Sequence, residues 1–133
     1  NLKNSIAILN SRINDLVKVA KEGKKDNLPS AIDEIKINAS ALAKSINNSV
    51  TNDSQTFKAI ASSLKTLANI PGTDLSANQD VIDLYRAVAL GQITDLQKAT
   101  LTDSQKETLK QAEDLAGQGK YTDALEKILL INI

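Results

Sequence analysis

Leu2, Ile6, Leu9, Ile13, Leu16 and Ala20 follow one another at intervals of four and three residues. That spacing puts one apolar side chain per turn on a single helix face, whereas a half-buried strand alternates with a period of two. Ile8, Val17 and Val19 widen the face beyond a narrow two-stranded seam. Leu28, Ile32, Ile35, Ala39, Leu42 and Ile46 repeat the pattern, with Pro29 in a first turn where its missing N–H costs nothing. Gly23 and the polar run Lys24 to Asn27 separate the two stripes. So short a connection predicts an antiparallel helical hairpin over residues 2–49.

The helical period continues, and the remaining helices are expected over 53–131. Phe57, Ile60, Leu64 and Leu67, with Ala61 and Ala68 beside them, make the inner row of a third helix. Asn52, Asp53 or Ser54 would cap it. Ile70 precedes Pro71 and is pushed out of the helical region. Ser76 is expected to cap a fourth helix running through Val81, Leu84, Tyr85, Val88 and Ala89. Gly91 either ends or weakens it, and Ile93 to Ala99 reads as a continuation or a separate turn. Thr102 and Gln105 have the capping-box spacing and open a fifth helix with Leu109, Ala112, Leu115 and Ala116 inside. Gly117 to Gly119 closes it, and Tyr121, Ala124, Leu125 and Ile128 define a last short helix. The fold expected is all-α: a single domain over 1–133, a compact antiparallel bundle of about four to six helices.

The run Gln118 to Glu126, with Gly119, Tyr121 and Ala124 at its close-packing positions, resembles the turn and second helix of a tetratricopeptide repeat. The resemblance covers one unit, from about Thr102 to Ile131. It implies two antiparallel helices packed closely across a glycine, an aromatic and a small residue. The upstream helix lacks the family's large aromatic near its start, and no 34-residue period runs elsewhere in the chain. One such unit makes no array, so it reads as a helical hairpin of that geometry rather than membership of the family.

Composition decides what chemistry is open to such a bundle. The apolar residues are 17 Leu, 14 Ile and 16 Ala against 5 Val, with Phe57, Tyr85 and Tyr121 the only aromatics. His, Cys, Met and Trp are absent. There is therefore no disulfide, no thiol nucleophile and no imidazole base, and the usual haem ligands are missing. Ser40 and Lys44 share a helix face, but such pairs arise by chance among 11 Ser and 14 Lys. Asp80 with Asp83, and Asp103 with Glu107, read as acids that stabilise helix starts. A hard-ion site from Asp74, Asp80 and Asp83 would lack the twelve-residue calcium loop. No cofactor, metal or catalytic residue is expected. Arg12 and Arg86 are the only arginines, and Tyr85 and Tyr121 are too few to form a stacking platform, which argues against nucleic acid. They read instead as core residues with a wetted hydroxyl. No apolar run is long enough to span a membrane.

The 16 basic and 16 acidic residues sum to zero charge but are unevenly placed, +4 over residues 1–66 and −4 over 67–133. The chain starts at Asn1, the end that a cleaved export signal, a tag or a trimmed start would leave. Twelve Asn, 11 Ser and 9 Thr lean towards an exported protein, periplasmic, extracellular or at the cell surface. Three Asn-X-Ser sequons begin at Asn38, Asn47 and Asn52 and are expected by chance in so polar a chain. The function expected is non-enzymatic: an interaction or accessory module that binds another protein or itself. Its candidate surface is the apolar C-terminal run Leu129, Leu130, Ile131 and Ile133. The alternative is a carrier that holds a small apolar ligand beside Phe57, Tyr85 and Tyr121. A carrier predicts an enclosed apolar pocket, and an interaction module predicts an exposed apolar patch.

Overall fold

The computed structural model describes residues 2–48, 54–70, 72, 73 and 75–131. It contains six α-helices: α1 (Leu2–Glu22), α2 (Leu28–Asn48), α3 (Ser54–Ala68), α4 (Gln79–Gln97), α5 (Asp103–Gly117) and α6 (Tyr121–Leu129). No strand occurs among the described residues. The chain folds as the compact all-helical bundle that the four-three spacing predicts.

The α1–α2 hairpin forms for the reason its sequence suggests. Ile6, Leu9, Ile13 and Leu16 are buried against Ile35, Ala39, Leu42 and Ile46 in one core. Gly23 has φ +68°, which a residue with a side chain rarely adopts. From there Lys24 N–H reaches back to the Val19 carbonyl at 3.2 Å and Gly23 N–H to Ala20 at 3.4 Å. These two bonds satisfy carbonyls that the end of α1 would otherwise leave open. A short 3-10 turn, Lys25–Asn27, then leads into α2.

Helix α3 runs antiparallel to α4, with Phe57 facing Gly91 at one end and the Leu64 carbonyl facing Tyr85 at the other. Phe57, Ile60, Ala61, Leu64 and Leu67 are buried, and Ala68 is exposed. Of the three expected caps, Asn52 and Asp53 lie outside the described residues, and Ser54 is already the first residue of α3. Across to α1, the buried Ser63 hydroxyl donates to the Asn10 side-chain carbonyl, with the Ala59 carbonyl 3.1 Å away.

Helix α4 starts two residues later than Ser76 would have it. Leu75 is drawn into the core and heads a 3-10 turn, Leu75–Ala77. That turn takes up Ser76 and leaves Asn78 as the cap, its side chain accepting from Asp80 N–H and Val81 N–H. Gly91 does not end the helix, which continues to Gln97. The α5–α6 hairpin forms, but Gly119 is not a close-packing position: a Cβ there would meet nothing within 4 Å, and the glycine serves the turn through its φ of +77°. Thr102 and Gln105 make a reciprocal capping box, Lys120 N–H closes back on the Leu115 carbonyl at 2.9 Å, and Ala124 is fully buried.

Two polar groups sit deep in this aliphatic interior. The Tyr85 hydroxyl is not wetted but donates to the Leu64 carbonyl at 3.1 Å, and burial pushes its pKa up to about 12. Gln92 is fully buried on α4, and neither atom of its amide has a hydrogen-bond partner among the described residues. Its face of the helix, shared with Val88 and Leu96 one turn to either side, is otherwise apolar.

Tyr85→Phe is expected to cost about 1 kcal/mol at pH 7, the net worth of one buried hydrogen bond. The raised pKa means that the folded state holds the Tyr85 proton more tightly than the unfolded chain. Its stabilisation is complete below about pH 10 and is lost as pH rises through about 12. The stability gap between wild type and Tyr85→Phe, from urea melts at successive pH values, should therefore shrink above pH 10. Gln92→Met, which keeps the length and removes the unpaired amide, is expected to raise stability by about 1 kcal/mol in the same assay.

Candidate functional site

A cleft of about 730 Å³ opens along the seam between α2 and α4. Its floor is apolar. Ala43 and Ile46 come from α2, Phe57 from α3, and Ala87, Leu90 and Gly91 from α4. Its rim is polar and charged: Lys44 stands on α2, Asp83, Arg86 and Asp95 on α4, and Lys98 at the end of α4. From Asp83 to Lys98 the α4 side is about 22 Å long at 1.5 Å per residue.

The depth of the floor depends on Gly91. A Cβ on that residue would fall 2.5 Å from Phe57 Cζ and 2.7 Å from Cε1. The ring occupies the space that any side chain at position 91 would need, and Phe57 is only 2% exposed. This explains a glycine inside a helix, where it costs about 1 kcal/mol relative to alanine. Leu90, next to it, is 41% exposed and is the large apolar side chain that the cleft presents to solvent.

The rim charges are largely uncommitted. Asp83 accepts a hydrogen bond from Gln79 Nε2 at 2.8 Å. Lys44, Arg86, Asp95 and Lys98 make no ion pair among the described residues. The ion pairs found there are Arg12 with Asp15 and Glu34, and Lys24 with Glu22. Ser40 and Lys44, which share a face of α2, both line the cleft, and so does Asp83.

The structure places the residues singled out from the sequence as follows. Phe57 lies under the α2/α4 cleft. Tyr85 borders a separate dent of about 40 Å³ between α3 and α6, little more than the space of one water. Tyr121 is half-buried at the start of α6. The three aromatics thus do not share one of these spaces. Of the C-terminal run, Ile131 is 1% exposed and Leu129 packs on the core. Leu130, the cap residue just after α6, points outward at 72% exposure. Ile133 lies outside the described residues, as does Asp74. The large apolar side chains exposed among the described residues are Ile8, Ile37, Leu90 and Leu130, one each from α1, α2, α4 and the end of α6. Asn38, the first sequon asparagine, has its amide nitrogen buried within α2.

No group of three acidic residues among those described is arranged to hold a metal ion. No described helix is long and apolar enough to cross a membrane. Compared with protein-family models, curated proteins and solved structures, the chain finds no match.

The cleft was not legible as a site in the sequence. Its lining comes from three helices and spans positions 40 to 98, and each polar member reads alone as ordinary helix surface. The signal that existed was Gly91, a glycine flanked by helical periodicity on both sides.

Gly91→Ala gains helix propensity but drives a methyl into the Phe57 ring, and overpacking of this kind costs about 1–3 kcal/mol. A net loss of about 1 kcal/mol is expected, read as a fall of about 4 °C in melting temperature. In a Phe57→Leu background the same substitution should instead stabilise the chain. A double-mutant cycle by calorimetry checks this reversal of sign.

Proposed function

We propose that the chain is a non-enzymatic binding module that receives a segment of another protein in the α2/α4 cleft. The observation that carries this reading is the cleft itself: an apolar floor with Leu90 exposed in it, bordered by Lys44, Arg86, Asp95 and Lys98, which make no ion pair among the described residues. Burying Leu90 and the floor around Phe57 supplies the apolar contribution to binding, and the rim charges supply orientation. Grooves between helices take apolar anchors of a partner chain in this manner. The same reading takes the chain as exported, from its Asn, Ser and Thr content.

The volume would also suit a small molecule. Openness to solvent and the charged rim favour a partner chain over an enclosed apolar ligand. The C-terminal run contributes less to this reading than its sequence suggested, because Ile131 is occupied in the core.

Phage-displayed random peptides panned against the folded chain test the proposal. Peptides are expected that bind wild type with micromolar affinity and lose at least tenfold on Leu90→Asp, a change on an exposed residue that should leave the fold intact. Native mass spectrometry of purified material should show the 14.3 kDa chain without added small-molecule mass. A retained apolar ligand would turn the reading towards a carrier.

A further inference from the structure

The cleft has a chemical preference that its volume alone does not convey. Arg12 and Arg86 are the two arginines of the chain, and they are used differently. Arg12 has carboxylates within ion-pair reach, Glu34 at 3.7 Å from Nε and Asp15 at 3.8 Å from a terminal guanidinium nitrogen, although its buried Nε makes no hydrogen bond among the described residues. Arg86 stands on the cleft rim with no ion pair or hydrogen bond among the described residues. The acid placed to neutralise it is Asp83, one turn earlier on α4, and Asp83 is held by Gln79 at 2.8 Å. Asp95 is nine residues further on, about 13 Å along the helix axis, too far to pair with Arg86. Lys44 from α2 and Lys98 at the end of α4 add two more cations without an ion pair among the described residues. One turn beyond Arg86 lies Leu90, exposed above the floor that Phe57 and Ile46 complete.

A free guanidinium next to an apolar seat is complementary to a carboxylate next to an apolar side chain. The planar fork of arginine donates to both oxygens of a carboxylate, which a lysine in the same place would not do. Resting on the reading of the cleft as a docking site, we propose that its occupant is an acidic amphipathic segment of a partner protein. A carboxylate of that segment sits on Arg86, and an aliphatic or aromatic side chain within one turn of it sits over Leu90 and Phe57.

The test uses 16-residue random peptides on phage, panned against the full chain and against its Arg86→Glu variant. Selected peptides are then synthesised and titrated by calorimetry. Wild type should select peptides rich in Asp and Glu with an apolar residue three or four positions from an acid. Their affinity should fall at least tenfold on Arg86→Glu, fall less on Arg86→Lys, and weaken as salt is raised from 50 to 500 mM. Arg86→Glu should select basic peptides. Circular dichroism on each variant confirms that the exposed substitution leaves the fold in place. Peptides that lose affinity on Leu90→Asp but not on Arg86→Glu, or selected peptides rich in Lys and Arg, would overturn the acidic assignment and leave the docking reading standing. Peptides indifferent to both substitutions, or no selected peptides at all, would overturn both.

Discussion

The packing of α4 is the constraint on which the rest of the molecule depends. This helix touches α2, α3, α5 and α6, so it joins the N-terminal hairpin to the C-terminal one. Its buried residues, from Val81 through Leu96, extend well around the helix and not along a single stripe. Ala87 and Ala89 let neighbours approach closely, and Gly91 lets Phe57 lie against the helix backbone. A chain with three aromatics has little large apolar area to bury. It compensates with small residues where helices must come near one another, which keeps dispersion contacts numerous in an aliphatic core.

The cleft follows from that arrangement. A helix gripped on several faces has one remaining direction in which it meets solvent, and on that side α2 and α4 leave a trough. Arg86, Leu90 and Thr94 succeed one another at one-turn intervals along it. The cations and carboxylates there are not needed to hold the fold. Among the described residues, the side-chain bonds that cap a helix or join two helices include the Asn78 and Thr102 caps, the Ser63 bond to Asn10 and the Tyr85 bond to Leu64, none of them in the cleft, where Asp83 and Thr94 bond only within α4. Separation of structural from uncommitted polar groups gives the α2/α4 seam its claim to function.

Residues whose role is set by their own turn of helix were readable in the sequence. The stripes of α1 and α2, the Gly23 stop and the Thr102–Gln105 box are local, and their physics acts over a few residues. What failed to show was set by distant partners. Ser76 and Asn78 both suit a cap, and the choice between them was made by Leu75 entering the core. Gln92 occupies a core position that a polar residue would not announce. Tyr85 found a carbonyl 21 residues away in sequence. The cleft lining was the least legible part, since a groove is a relation between helices and no single segment carries its signature. Phe57 was singled out for its ring, and its partner Gly91 only as a breaker, so their contact could be seen only in three dimensions.

The order in which sequence neighbours pair has a consequence for how the chain reaches this state. α1 with α2 and α5 with α6 are joined by the shorter connections, α3 with α4 by a longer one that carries a 3-10 turn, and all three pairs are sequence neighbours that close at modest entropic cost. The α2–α4 seam joins segments that are separated by the whole of α3, so its closure waits on more of the chain. The groove therefore lies on a joint that no single hairpin enforces. Anything that fills it in the native state alone adds its binding free energy to the stability of the chain, and does so at the boundary between the two halves. Occupancy would then be felt as slower unfolding of the entire bundle, which links whatever enters the groove to the lifetime of the folded chain.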